Sequence, residues 1–264
     1  MSSEFVVVSK ERHSSKSWRK VTNFGFASGT NLVPVSSGEL SHVTLSYPLV
    51  FVADGAQQQT LVAMLGMLPG QNFFLRADGQ WIGDYVPAAL RGYPFQLVRS
   101  EQDEFTLVVN EASGLVADGR EGVPFFDGDS AEPHTETKAL LNFLHSYHQG
   151  LKAAASAVAA IEAAGLIEPW PLNIETAEGV KPVGGVGRIS EARLGALPIE
   201  ELDRLRQTGG LMVAYAQLFS MQNLRKLQLL AQMKAAEPAN KAVAPLGLAS
   251  LDDEKFDWST ILDK

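Results

Sequence analysis

The chain has 264 residues, of which 45% are hydrophobic and 20% charged, values typical of a globular protein with a sizeable core. Its formal net charge of −8 argues against a broad nucleic-acid-binding surface, so we expect no nucleic-acid partner. The absence of cysteine excludes disulfides, thiolate metal sites and cysteine nucleophiles.

The first half of the chain favours β-structure. The segment 42–53, HVTLSYPLVFVA, is rich in the β-branched and aromatic residues typical of strands. Asp78-Gly79 separates two further apolar runs, as in a hairpin turn, and another pair of runs flanks the charged loop 100–104. The segment 57–68, QQQTLVAMLGML, is the exception and is compatible with a short helix.

The second half favours helices. Between Glu136 and Ala164, apolar residues recur at spacings of three, four and seven, which predicts one amphipathic helix. The stretch 168–189 is rich in proline and glycine and predicts turns. Two further helices are predicted near 198–207 and over 211–234, separated by a glycine pair.

The composition changes at residue 235. Residues 235–249 are rich in alanine and proline and predict a linker. The segment 250–264 has five acidic and two basic residues around four large apolar ones, a combination suited to docking on a protein partner. Those anchors are Phe256, Trp258, Ile261 and Leu262. The alternative is that this tail folds back onto its own domain.

Neither an export signal nor a membrane helix is evident. The N-terminal apolar run covers only residues 5–8, whereas a secretory signal needs about 7–15 apolar residues. No window approaches the roughly 20 apolar residues that span a bilayer. We therefore expect a cytoplasmic protein without membrane insertion.

The candidate catalytic patterns are weak. His145 and His148 lie three residues apart on the predicted helix and could share a metal with His134 and Asp127 or Asp129. No strong zinc spacing is present, however, so packing is the favoured interpretation and we predict neither metal nor cofactor. The glycines of GGVGR (184–188) lack the phosphate-binding patterns, and no GxSxG motif indicates a serine hydrolase.

The densest aromatic stretch is 81–95, WIGDYVPAALRGYPF. Its aromatic and cationic side chains could line a groove for a planar or peptide ligand. The alternative is a rigid corner that packs the β-rich part against the helices. The candidate groove residues are Trp81, Tyr85, Arg91, Tyr93 and Phe95.

Four segments in order carry a family resemblance. They are LVPVSSGELSHVTLSYPLVFV, LGMLPGQNFFLRADGQWIGDYVPAALRGYPFQLV, GVPFFDGDS and GRISEARLGALPIEELDRLRQTGGLMVAYAQLFSMQNLRKL, within residues 30–232. This succession resembles the bacterial SapC family. The resemblance implies an association with surface-layer protein loci, outer-membrane transport receptors and flavin-dependent tailoring enzymes. It implies no catalytic residue.

These observations lead to one functional hypothesis with two alternatives. We expect a non-catalytic accessory protein that binds a peptide or protein, possible partners being a flavin-dependent tailoring enzyme or an export or uptake component. It would serve a surface-protein, uptake or modification pathway. One alternative is an enzyme with an unrecognised site near Arg91 and His145 or His148. The other is an exported surface-layer component.

The predicted fold class is α+β. An antiparallel, β-rich N-terminal part packs against a C-terminal helical part, and a mobile C-terminal tail follows. The predicted divisions are an N-terminal arm with a first strand (1–29), a SapC-like domain (30–234, with 30–130 mostly β and 131–234 mostly helical), the linker (235–249) and the docking tail (250–264).

Overall fold

The computed structural model describes residues 5–54, 58–99, 105–119, 121–128, 130, 132–176 and 179–236. The strands in chain order are β1 (Phe5–Val7), β2 (Lys16–Trp18), β3 (Leu32–Pro34), β4 (Leu49–Ala53), β5 (Gln59–Met64), β6 (Phe95–Arg99), β7 (Phe105–Asn110), β8 (Val116–Asp118), β9 (Val123–Pro124), β10 (Ile167–Pro169), β11 (Leu172–Thr176), β12 (Gly179–Val183) and β13 (Val186–Ile189). The helices are α1 (Lys10–His13), α2 (Leu40–Ser46), α3 (Ala88–Arg91), α4 (Thr135–Ala163), α5 (Glu191–Gly195), α6 (Ile199–Thr208), α7 (Gly210–Ser220) and α8 (Leu224–Ala236).

The largest sheet has five antiparallel strands in the order β10-β13-β4-β5-β3. Helices α4 and α7 contact this sheet and each other, and α7 also contacts α2 and α6. Their facing side chains form the larger of two hydrophobic cores. Antiparallel sheets in the N-terminal half and helices in the C-terminal half confirm the α+β prediction.

A smaller core lies between the three-stranded sheets β1-β7-β6 and β8-β2-β9 and the first half of α4. Trp18, Phe95 and Phe125 fill it together with Leu144 of α4. The second half of α4 contributes Ile161 to the larger core instead. Since α4 has 29 residues and rises 1.5 Å per residue, it extends about 43 Å and connects the two cores.

Two predicted elements have the wrong type. The segment 57–68 contains a strand, β5, rather than a helix, because it pairs with β4 on one side and β3 on the other and its apolar side chains are buried in the larger core. The segment 42–53 begins inside helix α2 and becomes a strand only at Leu49. The preceding turn Ser37–Glu39 starts that helix through a capping box between Ser36 and Glu39, which outweighs the β propensity of the residues that follow.

The region after α4 also differs from the prediction. Residues 168–189, predicted as turns, contain parts of β10 to β13, and β13 pairs with β4 in the large sheet. The helix predicted over 211–234 is divided by a 3-10 turn at Met221–Asn223. Ser220 precedes the break and its hydroxyl accepts from the Leu49 N–H, while Asn223 ends the break and its amide donates to the Tyr47 carbonyl, so tertiary contacts accompany it. None of the described helices has both the length and the apolar character needed to cross a bilayer.

Candidate functional site

A cleft of about 240 Å³ lies beside the middle of α4, near the junction of the two cores. Three parts of the chain form its walls: the turn and first residues of α2, the segment from Tyr85 to α3, and one face of α4. The lining residues are Ser36, Gly38, Glu39, His42, Tyr85, Ala88, Arg91, Phe143, Ser146 and Tyr147.

Glu39 holds two of these walls together. Only 3% of the surface of Glu39 is exposed to solvent, and its carboxylate accepts four hydrogen bonds. Oε1 accepts from the backbone N–H of Ser36 at 3.0 Å and from the Ser36 hydroxyl at 3.3 Å. Oε2 accepts from the Tyr85 hydroxyl at 2.9 Å and from the Ala88 N–H at 2.8 Å. A carboxylate offers about four lone-pair sites, so this group is saturated by donors of its own chain.

Tyr85 places Arg91 at the cleft. The Arg91 guanidinium donates to the Tyr85 hydroxyl at 3.1 Å, while that hydroxyl donates to Glu39. The guanidinium carbon lies 5.2 Å from the centre of the Tyr85 ring and 4.9 Å from that of Phe143, which is within the range of cation–π attraction. Burial, and then the charge of Glu39, raise the pKa of Tyr85, so its hydroxyl remains a donor.

Tyr147 and His42 add polar groups to the cleft. The Tyr147 hydroxyl is buried and has no hydrogen-bond partner among the described residues. Burial raises the pKa of this hydroxyl, and the charge of Glu39 raises it further, so it stays protonated. His42 is exposed, and its ring stacks on Tyr85 with centres 4.9 Å apart.

Two glycines allow the walls to approach α4. A Cβ at Gly150 would lie 2.9 Å from Cβ of Ser36, closer than real side chains come. A Cβ at Gly92, directly after α3, would lie 2.6 Å from Cδ2 of Leu144. The absence of side chains at these positions therefore brings both the turn and the α3 segment against the helix.

Of the five predicted groove residues, the structure brings Tyr85 and Arg91 together at the cleft. Trp81 lies behind them and does not line it. The Trp81 indole N–H donates to the Tyr85 carbonyl at 3.0 Å and to the Tyr47 hydroxyl at 3.1 Å, and its ring stacks on Phe74. Trp81 therefore braces the backbone from which the Tyr85 side chain extends.

The other two predicted groove residues lie elsewhere. Tyr93 stacks on Phe26, with ring centres 3.8 Å apart, at the edge of the larger core. Phe95 is 2% exposed and packs edge-to-face on Trp18 in the smaller core. The reason is the strand geometry of β6, which directs Phe95 into the sheet interface instead of toward α3.

The two histidines of the alternative enzyme site do not line the Arg91 cleft. His145 and His148 flank the ring of Phe105 on β7, with ring centres 5.7 and 5.5 Å away. The imidazole at the Arg91 cleft is that of His42. Among the described residues no three His, Asp or Glu side chains converge as metal ligands would, so the metal hypothesis gains no ligand set from them.

The predicted docking tail, including Phe256, Trp258, Ile261 and Leu262, lies outside the described residues. Helix α8 continues to Ala236, beyond the predicted start of the linker.

Several cleft residues did not emerge from the sequence. Ser36, Glu39 and His42 come from one stretch and Tyr147 from another, and neither stretch has an unusual composition. One signal was present, because Ser36-x-x-Glu39 has the pattern of a helix capping box. That pattern predicts a helix start, but not that the same carboxylate would reach Tyr85 and Ala88.

Comparison with known proteins yields one match, to a family. No curated protein and no solved structure matches the chain. The sequence model of the SapC family matches residues 8–227, a range that includes every residue lining the cleft. The chain therefore belongs to the SapC family.

Proposed function

We propose that this SapC family member is a non-catalytic, cytoplasmic accessory protein that binds a peptide or protein at the Arg91 cleft. The observation that carries this proposal is the pairing of an open Arg91 with a saturated Glu39. Arg91 reaches the cleft on two aromatic faces, whereas every lone-pair site of Glu39 is engaged within the chain. The cleft thus offers recognition groups and a rigid frame.

The same contacts argue against acid–base catalysis by Glu39. A general base must present a free lone pair within hydrogen-bond reach of the proton it removes. Glu39 would have to break a hydrogen bond from Ser36, Tyr85 or Ala88 to do so. His42 is the remaining titratable base among the lining residues, and it lies exposed against the Tyr85 ring.

Family membership and the features of the chain support the pathway in this proposal. The partner in this proposal is a flavin-dependent tailoring enzyme or a component of export or uptake. This partner belongs to a pathway that makes or exports surface proteins, takes up ligands, or modifies proteins. The cytoplasmic location is part of the proposal, and fractionation of intact cells tests it. Recovery of most of the protein from the periplasm or the cell surface would contradict that location.

Affinity capture from the protein's own cells tests the binding function. We compare the tagged full chain with its Arg91→Gln variant and with Arg225→Gln, a control at an exposed position on α8. A captured protein counts only if it also binds the purified full chain in reconstitution. The expected result is that Arg91→Gln loses this partner and Arg225→Gln keeps it. Equal capture by both variants, with both folded, would reject the cleft as the binding site.

A further inference from the structure

Arg91 differs from most arginines of this protein in what surrounds it. Arg12, Arg188 and Arg204 each contact a carboxylate at 2.7 to 3.0 Å. Within the described residues, no carboxylate lies at ion-pair distance from Arg91, whose guanidinium donates a hydrogen bond to the Tyr85 hydroxyl. A guanidinium has five N–H donors in a planar fork that matches a carboxylate. Most of that donor capacity is therefore available to a ligand in the cleft.

The Tyr147 hydroxyl is a second donor, and it has no acceptor among the described residues. A buried hydroxyl without a partner costs free energy, and an acceptor that reaches it recovers that cost. Tyr147 lines the same cleft as Arg91. Glu39 has no lone pair left to compete for either donor.

The charges favour a single negative charge on the ligand. Arg91 is the permanent cation of the cleft, and the carboxylate of Glu39 lies directly behind Tyr85. A phosphate carries nearly two negative charges at neutral pH and would meet the repulsion of Glu39 with one permanent cation to offset it. A carboxylate carries one charge, meets a weaker repulsion from Glu39, and has the planar geometry that the Arg91 fork matches.

Size and wall chemistry define the rest of the ligand. A cleft of about 240 Å³ is smaller than the roughly 300–1,000 Å³ of typical sites for whole small molecules. It is suited to one residue-sized group of a larger partner. The walls include the rings of Tyr85 and Phe143 and the methyl group of Ala88, which favour an apolar neighbour of the charge.

We propose that the cleft recognises a carboxylate that lies beside an apolar side chain of a peptide or protein. The carboxylate accepts from the open side of Arg91 and from the Tyr147 hydroxyl, and the apolar group packs on Tyr85 and Phe143. This inference rests on the proposed binding function and adds the chemical class of the group that is bound. The carboxylate has two sources in a peptide, the chain end and an acidic side chain.

Nuclear magnetic resonance titration of the full chain with defined probes tests the inference. N-acetyl-phenylalanine presents a terminal carboxylate, N-acetyl-aspartyl-phenylalanine amide presents a side-chain carboxylate, and N-acetyl-phenylalanine amide presents none. Inorganic phosphate, which carries more than one negative charge on average at neutral pH, serves as the more highly charged probe. We expect a carboxylate probe to shift the signals of Arg91 Nε and Ala88 N, with the neutral amide weaker by about tenfold or more. The stronger carboxylate probe identifies the source.

Two variants separate recognition from folding. Arg91→Lys keeps the charge but loses the planar fork, so binding of the carboxylate probe should weaken less than in Arg91→Gln. Tyr147→Phe removes a hydroxyl that has no described partner, so the thermal midpoint should hold or rise while binding weakens about two- to tenfold. Arg225→Gln, the control, should bind as the natural chain does.

The outcomes distinguish this inference from the function on which it rests. Equal binding of the neutral amide and the carboxylates, tighter binding of phosphate, or unchanged binding by folded Arg91→Gln overturns carboxylate recognition. If the cell-derived partner is nevertheless lost in Arg91→Gln, the binding function stands and only the ligand class is wrong. If carboxylate probes bind to the natural chain but Arg91→Gln still captures the cell-derived partner, the proposed function fails while the carboxylate site remains.

Discussion

The Tyr85 hydroxyl donates a 2.9 Å hydrogen bond to the Glu39 carboxylate, although the two residues lie 46 positions apart in the chain. The bond joins the turn before α2 to the segment before α3. The backbone N–H of Ala88 donates to the same oxygen, so Glu39 also satisfies a donor at the start of α3. One buried side chain therefore fixes the relative position of two walls of the cleft.

We predict that Glu39→Gln destabilises the protein by about 1–3 kcal/mol. Each carboxylate oxygen accepts from a backbone N–H, that of Ser36 or that of Ala88. Whichever way the amide is oriented, its NH₂ group faces one of these donors. The free energy of unfolding in urea measures the loss. Glu121→Gln is the matched control, since that side chain is 88% exposed, and an equal effect of both changes would contradict the role of Glu39.

We predict that Phe95→Ala lowers the free energy of unfolding by about 3–5 kcal/mol, because it leaves a cavity in the smaller core. Phe219→Ala, at a side chain that is 63% exposed, should change it by no more than about 0.5 kcal/mol. Chemical denaturation measures both. A stable Phe95→Ala variant with impaired partner binding would instead show that Phe95 contributes to the binding surface.

We predict that lowering the pH reduces the free energy of unfolding in two steps, one from His13 and one from Glu111. Burial lowers the pKa of His13 from 6.5, whereas the hydrogen bond from Arg12 holds the pKa of Glu111 at about 2, from 4.5. Both groups bind protons less readily in the folded than in the unfolded chain. The contribution of each group to the free energy of unfolding is therefore complete above its pKa in the unfolded chain and is lost as the pH falls. For His13 the loss begins below pH 6.5, and for Glu111 it occurs between pH 4.5 and about 2.

The Glu111 part of this prediction has its own control. Glu111→Gln should be less stable than the natural chain near neutral pH, because Arg12 and Lys16 lose their carboxylate partner. The difference in unfolding free energy between the two chains should shrink below pH 4.5. A difference that stays constant down to the pKa of about 2 would show that Glu111 is not stabilised in the way proposed.

We predict that partner capture needs the tail as well as the cleft, so that replacing Phe256 and Trp258 with alanine abolishes capture and leaves the thermal midpoint nearly unchanged. Both are large apolar anchors within an acidic segment, the usual composition of a docking peptide. Capture from cells and thermal denaturation of the same variant give the two measurements. If the midpoint falls by several degrees and the partner is kept, the tail is a structural clasp of its own domain.

Local sequence signals determined those parts of the protein that depend on near neighbours. The apolar spacing between Glu136 and Ala164 predicts α4 almost to the residue, because one face of a helix repeats every 3.6 residues. The predicted helix at 198–207 is likewise confirmed as α6, Ile199–Thr208. The paired strands β6 and β7 follow from two apolar runs around a charged loop. The family resemblance is also a property of the sequence, and it is confirmed.

Tertiary structure decided what depends on distant partners. The sequence around β5 is compatible with a helix, but in the folded chain this segment pairs with β3 on one side and with β4 on the other. Tyr85 and Phe95 look equivalent in one aromatic stretch, yet only the backbone path through α3 sends Tyr85 to the cleft and Phe95 to the core. Glu39 and Tyr147 become site residues through contacts across 46 or more positions, which no local pattern encodes because hydrogen bonds and burial are set by the folded chain.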